Sequence, residues 1–322
     1  MRKGIGAVAL MLCAGCLGFS DNLAKVVDTD GSGDHRIFRI GSVTRIMMEP
    51  VLWKLEDLKI VDFDRPVTEY FNGSLPPEFE SVTLRMLHDN QSGLPLCLID
   101  PYSLGDIATL ARFAVLGDSL YADFNAREAF VERLWNRHYR QDVKKREPRQ
   151  SDMGYALLWM AICDRLGKGP DELCEKYLIE PYGLKDTSFV PLPGMRNRIT
   201  KPCAGSFPWP LFAGQEIADH RGEGETALFS GGMLSSASDI LRVCFVIMPH
   251  LDRAKAMLET AELDCGHTVW YLSGTVPGGH AFVGFDPEGK HAVAILENAT
   301  RFGAGEGLEL LENLANPPKE ED

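Results

Sequence analysis

The sequence predicts an α/β fold of the α+β kind: an antiparallel sheet flanked by helices, with a mostly helical region inserted. Two observations carry the prediction. Residues 268–273, 280–285 and 291–297 are short runs rich in Val, Phe, Tyr and Ile, separated by turn residues, and they read as three strands. Residues 104–180 read instead as mostly helical. Strand-rich ends around a helical middle bury their apolar faces when helices cover the sheet. The chain has 322 residues, 45% hydrophobic and 25% charged, enough for one large domain or two small ones with a real core.

The N-terminus has the form of an export signal. Arg2 and Lys3 precede a short apolar run over residues 4–12, and Ala14-Gly15-Cys16 supplies small residues before a cysteine. That ending resembles a bacterial lipoprotein signal, which makes residues 1–16 a signal peptide and Cys16 the lipidated residue. Cys13 stands where such signals usually carry Leu, so an ordinary signal peptide or an uncleaved anchor stays open. Without residues 1–15 the chain keeps 31 basic against 46 acidic groups, a net charge of -15. A surface of that sign repels nucleic acid, so no nucleic-acid partner is expected. Six cysteines lie beyond the signal, without zinc-ligand spacing, and single buried thiols are expected for most.

Residues 17–37 read as linker or a residual strand. Asp28-Thr29-Asp30-Gly31-Ser32-Gly33-Asp34 starts like a calcium loop, but Arg39 stands at the twelfth position, where the bidentate Glu is needed. A solvated turn is the reading, and neither metal nor cofactor is implied. Met47, Met48, Val51, Leu52 and Leu55 predict a buried amphipathic helix from Ser42 onward, kinked at Pro50. Another helix is expected over residues 155–166, with Trp159 and Met160 in its core. Gly167-Lys168-Gly169-Pro170 breaks it, and a further helix begins at Pro170. Asp286-Pro287-Glu288-Gly289 makes a turn between strands. Leu308, Leu310, Leu311 and Leu314 give a closing helix that stops before Pro317-Pro318. There is no G-x-S-x-G elbow, H-E-x-x-H pair or phosphate-binding Gly loop.

Six phrases in order carry a resemblance. They are Phe38-Arg39-Ile40-Gly41-Ser42-Val43-Thr44-Arg45; Val82-Thr83-Leu84-Arg85-Met86-Leu87 with Ser92-Gly93-Leu94-Pro95; Ser151-Asp152-Met153-Gly154-Tyr155; Glu180-Pro181-Tyr182-Gly183-Leu184; Ser230-Gly231-Gly232-Met233-Leu234; and Ser273-Gly274-Thr275-Val276-Pro277-Gly278 with Gly284-Phe285-Asp286-Pro287. Together, over residues 38–298, they resemble the serine β-lactamase and penicillin-binding-protein family, of the class C β-lactamase, esterase and D-alanyl-D-alanine peptidase type. The resemblance implies a β-lactamase-like domain over residues 38–322, helical over about 61–224 and sheet-forming over about 225–322. It places the nucleophile at Ser42, the start of the S-x-x-K motif. A serine hydroxyl needs a base to take its proton, and a lysine one helical turn on can be that base.

The helpers depart from the family pattern. Arg45 stands in the lysine's place, and arginine keeps its proton in proteins. Gln150 stands for the tyrosine of Y-x-N, and Asp152 for its asparagine. In the third motif Leu272 replaces the basic residue, leaving Leu272-Ser273-Gly274 as the strand beside the nucleophile. Only residues 17–37 precede the nucleophile segment, so a trimmed sheet is expected. Arg45 and Asp152, of opposite charge, are expected to pair, with two bonds from the planar guanidinium. Ser42 itself reads best as a helix-start residue capping backbone N–H groups.

These departures point to an exported protein, periplasmic or at the cell surface, with impaired catalysis. It is expected to keep a pocket for a cell-wall peptide or small acyl ligand and to reach a membrane through its lipid anchor. Two alternatives remain: a serine hydrolase using Ser42 with a non-standard base, for which His88 and Asp89 are candidates, or a remnant without ligand.

Overall fold

The computed structural model describes residues 25–31, 35–96, 127–205, 213–217 and 225–316. The signal segment with Cys16, Cys97, and Pro317-Pro318 lie outside the described residues, as do residues 97–126 of the expected helical region.

The chain enters as β1, Lys25–Asp28, and then β2, Phe38–Arg39. Next come α1, Val43–Met47; α2, Glu49–Asp57; and α3, Leu84–His88. The helical middle contains α4, Arg127–Leu134; α5, Arg137–Lys145; α6, Asp152–Leu166; and α7, Pro170–Cys174. A π-helical turn, Glu175–Ile179, joins α7 to α8, Glu180–Tyr182. Beyond it lie α9, Glu225–Gly231; β3, Leu234–Ser235; α10, Ala237–Ile247; α11, Leu251–Ala254; and β4, Glu259–Glu262. The strands β5, Thr268–Val276, β6, Gly279–Asp286, and β7, His291–Glu297, and the helix α12, Gly305–Ala315, complete the described chain.

The main sheet has the order β1-β7-β6-β5-β4, with every neighbour antiparallel. Side chains alternate across it. Leu272, Ala281, Val283, Phe285, Ala292, Ala294 and Leu296 face the large core shared with α1, α2, α6 and α10. Val269, Phe282, Val293 and Ile295 face the other way, onto Leu311 of α12. Both faces are covered, which is why these strands read as continuous apolar runs. β4 forms one edge of the sheet and carries exposed Glu259 and Glu262. A separate two-stranded ribbon pairs β2 with β3.

Several expectations change in detail. The amphipathic stretch from Ser42 is two helices, broken at Met48. Pro50 therefore lies in the first turn of α2, where its missing N–H costs no hydrogen bond. The residual strand expected within residues 17–37 is β1, paired with β7. β5 and β6 run longer than expected because Pro277 and Gly278, the latter at φ +70°, close a two-residue turn. Residues 225–316 include α9, α10 and α11 as well as strands. Helix α10 begins at Ser236, whose hydroxyl accepts from Asp239 N–H at 3.3 Å. At Asp28 a carboxylate oxygen accepts from Asp30 N–H and Gly31 N–H, which makes a local turn. No group of three metal-ligating side chains occurs among the described residues. Among the described residues no disulfide joins Cys163, Cys174, Cys203, Cys244 or Cys265.

Candidate functional site

The site is built where the β2–α1 turn meets the middle of β5. Gly41, at φ +52°, turns the chain from β2 into α1. A side chain at Gly274 would bring its Cβ to 2.6 Å from Ser42 N and 2.7 Å from Ile40 O. A side chain at Gly41 would reach 3.0 Å from Thr275 N. Backbone therefore lies directly on backbone, and only glycine fits at position 274. This contact brings the Leu272-Ser273-Gly274 segment against Ser42.

Ser42 sits at the N-cap of α1, half-buried, with φ -59° and ψ -13°. Those angles are already helical, whereas a capping side chain needs an extended backbone. It makes no cap hydrogen bond, contrary to the capping role expected for it. Its hydroxyl has no hydrogen-bond partner among the described residues.

Arg45 lies one turn further on and is wholly buried. Its Nη1 donates to Asp152 Oδ1 at 3.4 Å and its Nη2 to Asn90 Oδ1 at 3.2 Å. The pair with Asp152 is thus a single long contact, not the two-bond fork expected. The fork is split because Asn90 takes the second nitrogen, and Nε has no partner. The guanidinium also lies 5.1 Å over the Tyr155 ring. Asp152 is the first residue of α6, after the Ser151 cap. Burial pushes its carboxyl above the usual range against the pull of Arg45, yet 31% of its side chain still meets solvent.

Asn90 joins these parts. Its Oδ1 also accepts from Ser151 N–H at 3.1 Å, and its Nδ2 donates to Ala256 O at 3.0 Å. It does so from φ +59°, a conformation Asn tolerates better than most residues. Sequence reasoning missed Asn90, and only its Asp89-Asn90 turn signal was visible. It also missed Glu49, which is fully buried inside an apolar run.

Glu49 decides the role of His88. Both Glu49 oxygens stand 3.1 Å from His88 Nε2, and Asp89 Oδ1 stands 2.6 Å from His88 Nδ1. Trp53 Nε1 donates to Glu49 at 3.0 Å. Burial works against charge on His88, but Glu49 and Asp89 outweigh it and push its pKa up to about 10. At neutral pH both ring nitrogens carry protons and face carboxylates. Both His88 ring nitrogens are engaged by carboxylate oxygens, which speaks against the substitute-base role considered from sequence.

Leu272 is buried in the large core, so no positive group stands at its position. Ser273 points to the opposite face, where its hydroxyl lies 3.2 Å from His280 Nε2 and 3.3 Å from Gly303 O. Gln150 is exposed, immediately before the α6 cap. The structure thus gathers Ser42, Arg45, Asp152 and Gly274. It turns the Ser273 side chain away and leaves Gln150 on the surface.

A family model described as beta-lactamase matches residues 24–315. The chain belongs to the beta-lactamase family. Its fold is similar to that of a class C beta-lactamase from Rhodobacter sphaeroides, with a TM-score of 0.64 at 14% identity, covering 91% of this chain and 93% of that one. A beta-lactamase/D-alanine carboxypeptidase from Yersinia pestis gives a TM-score of 0.62 at 16% identity, with 91% and 93% covered. Among curated proteins, the D-alanyl-D-alanine-carboxypeptidase/endopeptidase AmpH of Escherichia coli K12 is 25% identical over 213 residues, 64% of this chain and 47% of AmpH. A beta-lactamase-like protein of Arthroderma benhamiae is 28% identical over 174 residues, 49% of this chain and 28% of that protein. The matches thus cover less than half the length of these curated relatives. As a beta-lactamase-family chain this is a serine hydrolase relative, and Ser42 is the residue that the sequence resemblance sets at the family's nucleophile position. Of the three residues that the sequence resemblance sets at helper positions, Arg45 is a buried cation, Gln150 an exposed amide and Leu272 a buried apolar side chain.

Proposed function

We propose that this chain is an exported, catalytically impaired member of the family that binds an envelope ligand without turning it over. The observation that carries the reading is the pairing of Ser42 with Arg45. The hydroxyl has no hydrogen-bond partner among the described residues, and the residue one turn on is a buried guanidinium committed to Asp152 and Asn90. Losing proton abstraction removes about 10²–10⁴-fold in rate. Losing a positive group at Leu272 adds a further penalty by analogy with oxyanion donors, about 10²–10³-fold, without the two multiplying. The ligand class is a cell-wall peptide or small acyl compound, in keeping with the name of AmpH. Export rests on residues 1–16, with Cys16 as the lipid anchor and the domain over residues 38–322 held at the membrane surface.

A second reading has one observation in its favour. Ser42 is half-buried, its hydroxyl is unengaged, and it packs on the β5 backbone, so a slow acylation by a reactive ester is chemically open. Turnover of a chromogenic cephalosporin and a short-chain p-nitrophenyl ester by wild type and Ser42→Ala separates the two. The proposal expects equal, near-background rates. A wild-type rate approaching roughly 1–10³ s⁻¹, lost in the variant, would overturn it. Stabilisation by a D-alanyl-D-alanine peptide without fluorophosphonate labelling of Ser42 supports the binding reading.

A further inference from the structure

A cleft opens beside α2, between residues 50–57, 176–182 and 246–253. It has a volume of about 470 Å³, within the range of small-molecule sites. None of Ser42, Arg45, Asp152 or Leu272 lines it. The outer face of α2 supplies Trp53 and Lys54, and the π-helical turn supplies Lys176 and Tyr177. Widened turns of this kind recur at functional positions. The Trp53 side chain is buried and meets His250 edge-on with centroids 5.9 Å apart, so the half-buried Tyr177 and Tyr182 supply the accessible aromatic lining.

Charge decides what this wall is built to receive. Arg253 and Asp57 also line the cleft, but they answer each other at 3.1 Å, and the guanidinium further bonds Glu56 at 3.0 Å and lies 5.1 Å from the Trp53 ring centroid. Lys54 and Lys176 are different. Both are exposed and neither has an ion-pair partner among the described residues, Lys176 lying 4.9 Å over the Tyr177 ring. Two uncompensated cations beside aromatic rings stand out on a chain of net charge -13. A concave site with that local sign concentrates anions.

We propose that this cleft is a second binding site, for a small anion carrying a flat apolar body, of the aromatic carboxylate class. The ring system packs against Tyr177 and Tyr182 while the carboxylate bridges Lys54 and Lys176. The probe is 2-naphthoate, with 2-naphthamide as its uncharged match, titrated against the full chain by amide chemical shifts. Naphthoate is expected to saturate with shifts centred on residues 50–57 and 176–182 and to bind more tightly than naphthamide. Lys54→Gln/Lys176→Gln should weaken naphthoate about tenfold, as two exposed charge contacts do, and leave naphthamide unchanged. Both lysines are exposed, so the variant should keep the wild-type melting temperature. Ser42→Ala should leave naphthoate binding unaltered. Equal affinity for the two probes, an unaffected double variant, shifts centred elsewhere, or no saturation below about 10 mM would each overturn the proposal.

Discussion

Replacing Asp152 by alanine strands a buried cation, and the size of the effect can be worked from the contact itself. Breaking a buried ion pair from one side costs ~3–5 kcal/mol when both charges are fully enclosed. A hydrogen bond to a charged group contributes ~1.5–3 kcal/mol. Here the contact is single and 3.4 Å long, and Asp152 is 31% exposed, so water replaces part of what is lost. Against that, Arg45 is wholly buried and its Nε is already unpartnered, which leaves it only the 3.2 Å bond to Asn90. These considerations place Asp152→Ala at about 2 kcal/mol, a fall in melting temperature of about 4 °C for a chain of this size. Arg45→Met on top of it removes the stranded charge and roughly keeps the volume, and at least half the loss should return. The assay is urea unfolding of wild type, single and double variants at pH 7. The reasoning fails if Asp152→Ala costs less than about 0.5 kcal/mol, or if the double variant is less stable than the single.

Other outcomes follow from the same structure. Gly274→Ala forces a Cβ to within 2.6 Å of Ser42 N and should cost about 1–3 kcal/mol, read from the same urea curves; a neutral substitution contradicts the backbone-on-backbone contact. His88 is raised from its ordinary ~6.5 to about 10 when folded, so its stabilisation is complete below pH ~6.5 and drains away as the pH climbs towards 10. Urea midpoints at pH 6 and pH 9.5 should differ more in wild type than in His88→Gln, and an identical pH slope in both would refute the raised pKa. Cys16→Ser should abolish incorporation of labelled palmitate in expressing bacterial cells. Absence of label in the wild type would sink lipidation while leaving plain secretion standing.

What the sequence made legible was pattern, and what it concealed was convergence. β5, β6 and β7 were readable because branched and aromatic residues cluster between turn residues, and β7 spans residues 291–297 as expected. The meeting of Arg45 with Asp152 followed from opposite charges at two positions that both depart from the family pattern the sequence resembles. β4 was not readable, since Glu-Thr-Ala-Glu has no apolar alternation to announce a strand. The break between α1 and α2 was misplaced because a proline looks the same in a helix interior as in a first turn. Helix α10 left signals that went unread: Ser236 three residues before Asp239, then Ile240, Leu241, Val243, Cys244 and Ile247 on its buried side. Asn90 and Glu49 belong to another class. Their importance comes from partners 39 to 166 residues away, and no local window contains such a fact.

The β4 edge also bears on how copies of this chain treat one another. An exposed strand edge is a template on which an identical strand can be laid. If two β4 strands met antiparallel about a twofold axis, Glu259 of one copy would stand beside Glu262 of the other, twice over. Four carboxylates would crowd a ribbon only four residues long. Opposed like charges make that pairing unfavourable, and the overall negative charge of the chain adds a longer-range repulsion. Molecules tethered to a membrane by their N-termini would be confined to two dimensions at high local density. In such an arrangement this edge would act as a spacer, keeping neighbours from joining sheets however often they collide.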